Sequence, residues 1–133
     1  MKPIHISYVM HPFGGNRVNL DRTDEWCAFL TAQFNALFVA PWVPMCRHWA
    51  NNGVSLDHGM RLDFEAIRRF DSCIAVGGKF SVGMTNERGF ADSIGKVVLD
   101  ASRFERPNEL LADEDAMNYL ANVYGWGPLR NAG

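Results

Sequence analysis

Two acidic side chains, Glu87 and Asp63, are the residues of this sequence best suited to carry chemistry. Glu87 ends the segment Ser81-Val-Gly-Met-Thr-Asn-Glu87, which follows a short apolar run and opens a helical pattern. A helix start presents unpaired N–H groups and partial positive charge, so Ser81 and the amides around Gly83 could bind an anion. The same partial charge favours an ionised Glu87, the form that a nucleophile needs. From this segment alone, an ordinary first-turn acid with a capping role is the simpler interpretation of Glu87.

Asp63 shares a helical stripe with apolar residues. Met60, Asp63, Ile67 and Phe70 recur at intervals of three and four residues, so the core-facing side of this predicted helix carries a carboxylate. A buried or half-buried carboxylate in such a place needs a partner. The alternative is that Asp63 only stabilises the start of its own helix.

The elements that must position these acids alternate between strand and helix. Four apolar runs predict strands, over residues 4–10, 38–43, 72–76 and 96–100. Helical spacing predicts helices over residues 20–37, 60–70, 85–94 and 107–121. The alternation is typical of an open α/β sheet with parallel strands. Residues 46–58 lack periodicity and predict a long functional or capping loop. The tail, residues 125–133, contains Trp126 and could pack on a neighbour, although we expect it to fray.

Ligands of open α/β sheets bind where the strands end, so the loops that follow strands matter most. The first strand precedes a loop with Gly14 and Gly15, whose small size would let the backbone approach a ligand closely, although a purely structural turn explains the pair equally well. Neither this loop nor the later Gly77-Gly78-Lys79 matches a Walker A or a dinucleotide-binding pattern. ATP hydrolysis and NAD-dependent hydride transfer therefore lack sequence support.

Composition limits the partners of the chain. With 133 residues and 47% hydrophobic content, residues 1–133 are expected to form a single domain. Thirteen Lys and Arg against fifteen Asp and Glu leave a net charge of -2, which disfavours a nucleic-acid polymer as partner. The four histidines lack the spacing of metal ligands, so we expect no metal.

The cysteines and the longest uncharged span bear on location. Cys27, Cys46 and Cys73 are odd in number and widely separated, which fits a reducing cytoplasm better than a disulfide framework. The opening residues lack the pattern of a secretory signal. No charge occurs between Glu25 and Arg47, but polar residues and two prolines interrupt that span, so we expect no membrane segment.

Several motifs together resemble one enzyme family. They are Asp63-(x7)-Asp71, a strand CIAV, Ser81-x-Gly83-Met84-x-x-Glu87, Ala91 and Gly95-Lys-Val-Val98. Their order and separation resemble the nucleoside 2-deoxyribosyltransferase superfamily, including its 2'-deoxynucleoside 5'-monophosphate N-hydrolase branch. The glycine pair after the first strand also agrees, so the resemblance runs from about residue 4 to residue 99.

The resemblance implies a fold and an activity. The fold would be a Rossmann-like or flavodoxin-like three-layer α/β domain with a mostly parallel sheet of four or five strands, in a homodimer or larger assembly. The activity would be cleavage of the bond between a base and a (deoxy)ribose in a small nucleoside or nucleoside 5'-monophosphate, without a cofactor. Water as acceptor gives hydrolysis, whereas a second base gives transfer.

The resemblance also implies roles for individual residues. Glu87 would be the nucleophile at the anomeric carbon, and Asp63 would bind a sugar hydroxyl or assist proton transfer to the departing base, which requires a raised pKa. If the displacement is retaining, the carboxyl groups of Asp63 and Glu87 should approach each other to roughly 5 to 7 Å. Ser81 would hold a 5'-phosphate. Further substrate-binding positions implied by the same motifs are Tyr8 (with Ser7 as the alternative alignment), Gly14, Gly15, Gly83 and Met84. Phe13 stands where some of these hydrolases have a basic residue, and Arg17 lies further on.

Two other function classes remain open at this point. The chain could be a non-catalytic nucleotide-binding or sensor domain with the same fold. It could also be a redox module of the flavodoxin type, although its loops lack an obvious flavin signature.

Overall fold

The computed structural model describes residues 3–49 and 55–131. Within these ranges the chain forms four strands: β1 (Ile6–Met10), β2 (Leu37–Val39), β3 (Ser72–Ala75) and β4 (Val98–Asp100). Seven helices accompany them in the same ranges: α1 (Val18–Gln33), α2 (Trp42–Trp49), α3 (Leu56–Arg69), α4 (Val82–Ser93), α5 (Pro107–Leu111), α6 (Glu114–Tyr124) and α7 (Pro128–Asn131).

The four strands form one parallel sheet in the order β2-β1-β3-β4. Tyr8 in β1 pairs with Cys73 in β3, and every residue of β3 is buried, as parallel strands covered on both faces require. This arrangement confirms the predicted α/β fold, in its flavodoxin-like form. The strand order reverses between β1 and β3, and the crevice above such a reversal is where ligands of this fold class bind.

Helices cover both faces of the sheet. Right-handed connections between parallel strands place α1 on one face and α3 and α4 on the other, because β2 lies on the opposite side of β1 from β3. On the first face, α1 contacts α5 and α7, and its Trp26 is fully buried. On the second face, α3 and α4 pack side by side, with Phe64 stacked on Phe90 at 4.4 Å between ring centroids.

The first predicted helix and the second predicted strand have different bounds in the structure. Helix α1 ends at Gln33 instead of continuing to residue 37, and Leu37 begins β2 by donating its N–H to the His5 carbonyl at 2.9 Å. Strand β2 stops at Val39, so Trp42 and Val43 are helical, contrary to expectation. Pro44 does not prevent this, because a proline in the first turn of a helix sacrifices no backbone hydrogen bond.

The long loop predicted over residues 46–58 is largely helical where the structure describes it. Its first four residues complete α2, and α3 begins at Leu56. Ser55 caps α3 by accepting the His58 N–H at 3.1 Å. The rest of the predicted loop, residues 50–54, lies outside the described residues.

The C-terminal part is more ordered than expected. The final predicted helix is two helices, because Asp113 caps α6 by accepting the Ala116 N–H at 3.0 Å. The tail is folded up to residue 131, contrary to the expected fraying. Trp126 stacks on Phe34 at 5.7 Å between ring centroids, and α7 follows it. A Cβ on Gly127 would lie 2.7 Å from the Phe34 backbone, so this segment packs closely against the end of α1. Residues 132 and 133 lie outside the described residues.

Candidate active site

The site begins with a contact between β1 and α4. Glu87 lies in the second turn of α4 and is only 8% exposed. The hydroxyl of Tyr8, a fully buried residue in the middle of β1, donates a hydrogen bond to Glu87 Oε2. The Tyr8 ring also lies 6.2 Å from the Phe70 ring, which packs it against the end of α3. Strand β1 therefore presents a hydrogen-bond donor to a carboxyl group on the helix that follows β3.

Asp63 brings α3 into the same site. Its side chain is half-buried, and its Oδ1 is enclosed without a hydrogen-bond partner among the described residues. Its charge acts on both other groups, since it raises the pKa of Glu87 and the pKa of Tyr8. The packing of α3 against α4 thus brings the half-buried Asp63 close enough to act on the buried Tyr8–Glu87 pair, although the three residues are distant in sequence.

Burial dominates the electrostatics of this cluster of three residues. Desolvation raises the pKa of Glu87 to about 8, against the lowering effect of the Tyr8 hydrogen bond and with a further increase from Asp63. Desolvation also raises the pKa of Asp63 to about 7. The pKa of Tyr8 lies well above its usual range because of burial and the two nearby acids. Near neutral pH the carboxyl pair therefore retains a proton.

The raised pKa values correct a prediction about Glu87 and meet a requirement of the role predicted for Asp63. The partial charge of the helix start does not keep Glu87 ionised, because that effect fades after the first turn and burial outweighs it. The raised pKa that proton donation by Asp63 requires is present, and burial causes it. A carboxyl pair that holds a proton near neutral pH can combine an acid with a nucleophile or base.

Two thiols near the cluster were not singled out by the sequence. Cys73 lies in β3 beside Tyr8, and its pKa rises to about 12, mainly through burial and then through the charge of Glu87. Cys46 on α2 also has a raised pKa, through burial and then through Asp63 and Glu87. The sequence signal for Cys73 was its place in the CIAV strand of the family motif, whereas its pairing with Tyr8 follows from the strand register in the structure.

Ser81 and Met84 act together at the start of α4. Ser81 Oγ accepts the Met84 N–H at 3.3 Å, and Met84 Sδ accepts the Ser81 N–H at 3.4 Å. This cap starts α4 at Val82, three residues before the predicted start. Met84 is buried, whereas Gly83 is exposed and a Cβ there would meet only Ser81 Oγ at 4.0 Å. The observed contacts of Ser81 are those of a helix cap, and its phosphate contact stays a prediction.

Gly14 and Gly15 form an exposed turn after β1. Both have positive φ angles, 57° and 76°, and an added Cβ would meet nothing within 4 Å at either position. Glycine is therefore needed there for backbone conformation and not for packing. The turn lies at the edge of the sheet where β1 ends, and contact with a ligand stays a prediction for both residues.

His11 and Gly77 form a close contact that the sequence analysis did not identify. Gly77 has a φ of 113°, and a Cβ on it would lie 2.6 Å from Pro12 Cδ and 2.7 Å from His11 Cδ2. The His11 Nδ1 donates to the Pro12 carbonyl at 2.7 Å, and burial lowers the pKa of this imidazole. The loops that follow β1 and β3 are thus packed together at the point where the strand order reverses.

No protein-family model, curated protein or solved structure matches the chain. Residues 3–49 and 55–131 contain no group of three metal-ligating side chains, and none of their helices has the length and apolarity needed to cross a bilayer. Two surface cavities, of about 270 and 640 Å³, are lined by residues other than the acid pair.

Proposed function

We propose that this chain cleaves the N-glycosidic bond of a small (deoxy)nucleoside or its 5'-monophosphate. The observation that carries the proposal is the cluster in which Tyr8 donates to Glu87 while the charge of Asp63 acts on both. Breaking this bond develops positive charge on the sugar, which a carboxylate stabilises or captures. The family resemblance of the motifs that contain Asp63 and Glu87 supports the same chemistry.

The first half-reaction uses the two acids differently. The Glu87 carboxylate forms a bond to the anomeric carbon as the bond from that carbon to the base nitrogen breaks. The electron pair of the broken bond goes to the base, which takes the proton of Asp63. Tyr8 positions Glu87 through its hydrogen bond. In the second half-reaction, water or a second base attacks the same carbon, Glu87 leaves as a carboxylate, and Asp63 recovers a proton from the acceptor.

The protonation of the pair determines the pH dependence of this reaction. The reactive form carries one proton, on Asp63, and is the less populated of the two singly protonated forms, because the pKa of Glu87 is the higher one. The rate therefore falls when both acids are protonated and when both are ionised. We expect a bell-shaped profile whose limbs reflect the titration of the coupled pair, between about 7 and about 8 in the free protein.

Release of free base from a panel of nucleosides and 5'-monophosphates tests the proposal. Wild-type protein should release base from at least one member, and Glu87→Gln should reduce that rate by roughly 10³-fold or more, as loss of a catalytic nucleophile does. Asp63→Asn should reduce the rate of base release most for substrates with poor leaving groups.

Glu65→Gln, on the exposed part of α3, is the matched control, and its rate of base release should equal that of wild type. Binding of nucleotides without base release or exchange would favour the non-catalytic sensor function instead.

We also propose a homodimer or larger assembly in a reducing cytoplasm. The family resemblance supports the assembly. The three cysteines Cys27, Cys46 and Cys73 are all free thiols in the structure, which supports the compartment. Light scattering of the purified protein measures the assembly, and a monomer would contradict it.

A further inference from the structure

A second candidate site lies beyond the edge strand β4, away from the acid cluster. A cavity of about 270 Å³ opens between the carboxyl end of β4 and helices α5 and α6. The cavity exists because the chain leaves β4 through a short loop and because α5 stops at Leu111, before α6 begins. Its volume corresponds to ~9 water molecules of bulk liquid, which is space for a small organic molecule.

The floor of this cavity is apolar. Its buried lining residues come from the end of β4, the loop after it, and both helices: Leu99, Ala101, Phe104, Leu110 and Leu120. Such a floor favours the apolar body of a ligand, since it offers burial without polar groups to satisfy.

The rim of the cavity is acidic once its internal pairs are counted. Arg103 is the lining cation, and its charge is matched by Asp113 at 3.1 Å while its guanidinium lies over the Phe104 ring. Asp100 also lines the rim, where its Oδ1 accepts two hydrogen bonds from Ser102 and its Oδ2 lies 3.8 Å from Arg88 Nη1. These groups are therefore largely committed to partners within the protein.

Asp115 and Tyr119 are available to a ligand. They lie one turn apart on α6, both line the cavity, and both are exposed, Tyr119 to 59%. Within the described part of the chain, the Asp115 carboxylate has no ion pair and no side-chain hydrogen bond. An exposed aromatic ring and an unpaired carboxylate on one side of an apolar cavity favour a positive charge held at the mouth.

We propose that this cavity binds a small aromatic amine, with the ring against the apolar floor and the ammonium group between Asp115 and Tyr119. The class follows from charge complementarity at the rim and from the size and apolarity of the floor. An anion of the same size is repelled by the unpaired Asp115 carboxylate, and a neutral molecule gains no electrostatic attraction from it.

A matched ligand series tests this site. Amide shifts in ¹H–¹⁵N NMR spectra of the full chain would be followed during titration with 2-phenylethylamine, 2-phenylethanol and phenylacetate. We expect the amine to bind about fivefold more tightly than the alcohol, the upper end for a solvent-exposed ion pair, with shifts centred on the cavity lining. The preference should shrink as salt is added. Phenylacetate should bind most weakly.

Two neighbouring acids provide the control. Asp115→Asn should remove the preference for the amine and leave binding of the alcohol unchanged. Glu114→Gln makes the same charge change one residue earlier, outside the cavity lining, and should preserve the preference. Equal binding of amine and alcohol to wild type, shifts centred elsewhere, or an equal loss in both variants would overturn the proposal.

Discussion

The Glu87 carboxyl shows how one residue acquires its chemistry from its surroundings. Its position in the second turn of α4 places it against the sheet, where it loses water on nearly every side. Tyr8 supplies the compensating hydrogen bond, but the pKa of Glu87 still rises to about 8. A carboxyl in this state is costly to ionise in the folded protein, and a catalytic site is a common reason for such a cost.

At neutral and higher pH, this cost should appear as lost stability. Folded Glu87 keeps its proton up to about pH 8, whereas its usual pKa is 4.5, so the folded state binds more protons between these values. The stability that protonated Glu87 contributes is fully present below pH 4.5. It is lost progressively as pH rises from there, and is gone above about pH 8. Between about pH 6 and pH 8, the free energy of unfolding of wild type should fall by about 2 kcal/mol more than that of Glu87→Gln.

Urea denaturation of both proteins across this pH range measures the difference. Glu65→Gln, which changes an exposed acid on α3, should follow the wild-type curve. Parallel curves for wild type and Glu87→Gln would show that Glu87 titrates normally, and the site would lose its proton-holding pair.

The residues of the site were only partly predictable. Asp63 could be recognised because it interrupts an apolar stripe at helical spacing, and Glu87 because of its motif. Their meeting depends on α3 and α4 lying side by side, which no local pattern reveals. His11 and Cys46 were not identified, because burial of a single histidine or thiol follows from tertiary packing alone.

At the scale of elements, the loops after β1 and β3 hold the edge of the sheet together. Gly14 and Gly77 provide a matched comparison, since both have positive φ and only Gly77 lies against other atoms. Gly14→Ala should cost ~1–2 kcal/mol for its left-handed backbone. Gly77→Ala should cost a further ~1–3 kcal/mol, because its Cβ would overlap Pro12 and His11.

Thermal or urea denaturation of the two variants checks this difference. Equal losses of stability would show that the two loops are not closely packed against each other. In that case the crevice above β1 and β3 would be wider than the structure indicates.

Element types followed from sequence where local signals agreed. Helix α4 was expected from helical spacing over residues 85–94, and β3 because a short apolar run ends at two glycines. Helix α2 was missed because Trp42 and Val43 continue an apolar run and two prolines appeared to end it. A tertiary contact holds the start of this helix in place, since the Trp42 indole N–H donates to the Val9 carbonyl at 3.0 Å.

For the whole molecule, the parallel sheet explains why these residues meet. Strands β1 and β3 are neighbours although α1, β2, α2 and α3 separate them in sequence. The alternation of strands and helices indicated a parallel sheet, but the strand order depends on connections that periodicity does not encode. Tyr8 and the helix that follows β3 come together only because of that order.

Formation of a covalent intermediate on Glu87 is the most direct test of this account. The protein would be quenched during turnover of the deoxynucleoside that releases base fastest, and the intact protein and its peptides would be weighed by mass spectrometry. We expect a species heavier by one deoxyribosyl group, located on the peptide that contains Glu87 and absent from Glu87→Gln. Base release that persists in Glu87→Gln, or a sugar attached to another residue, would contradict the role given to Glu87.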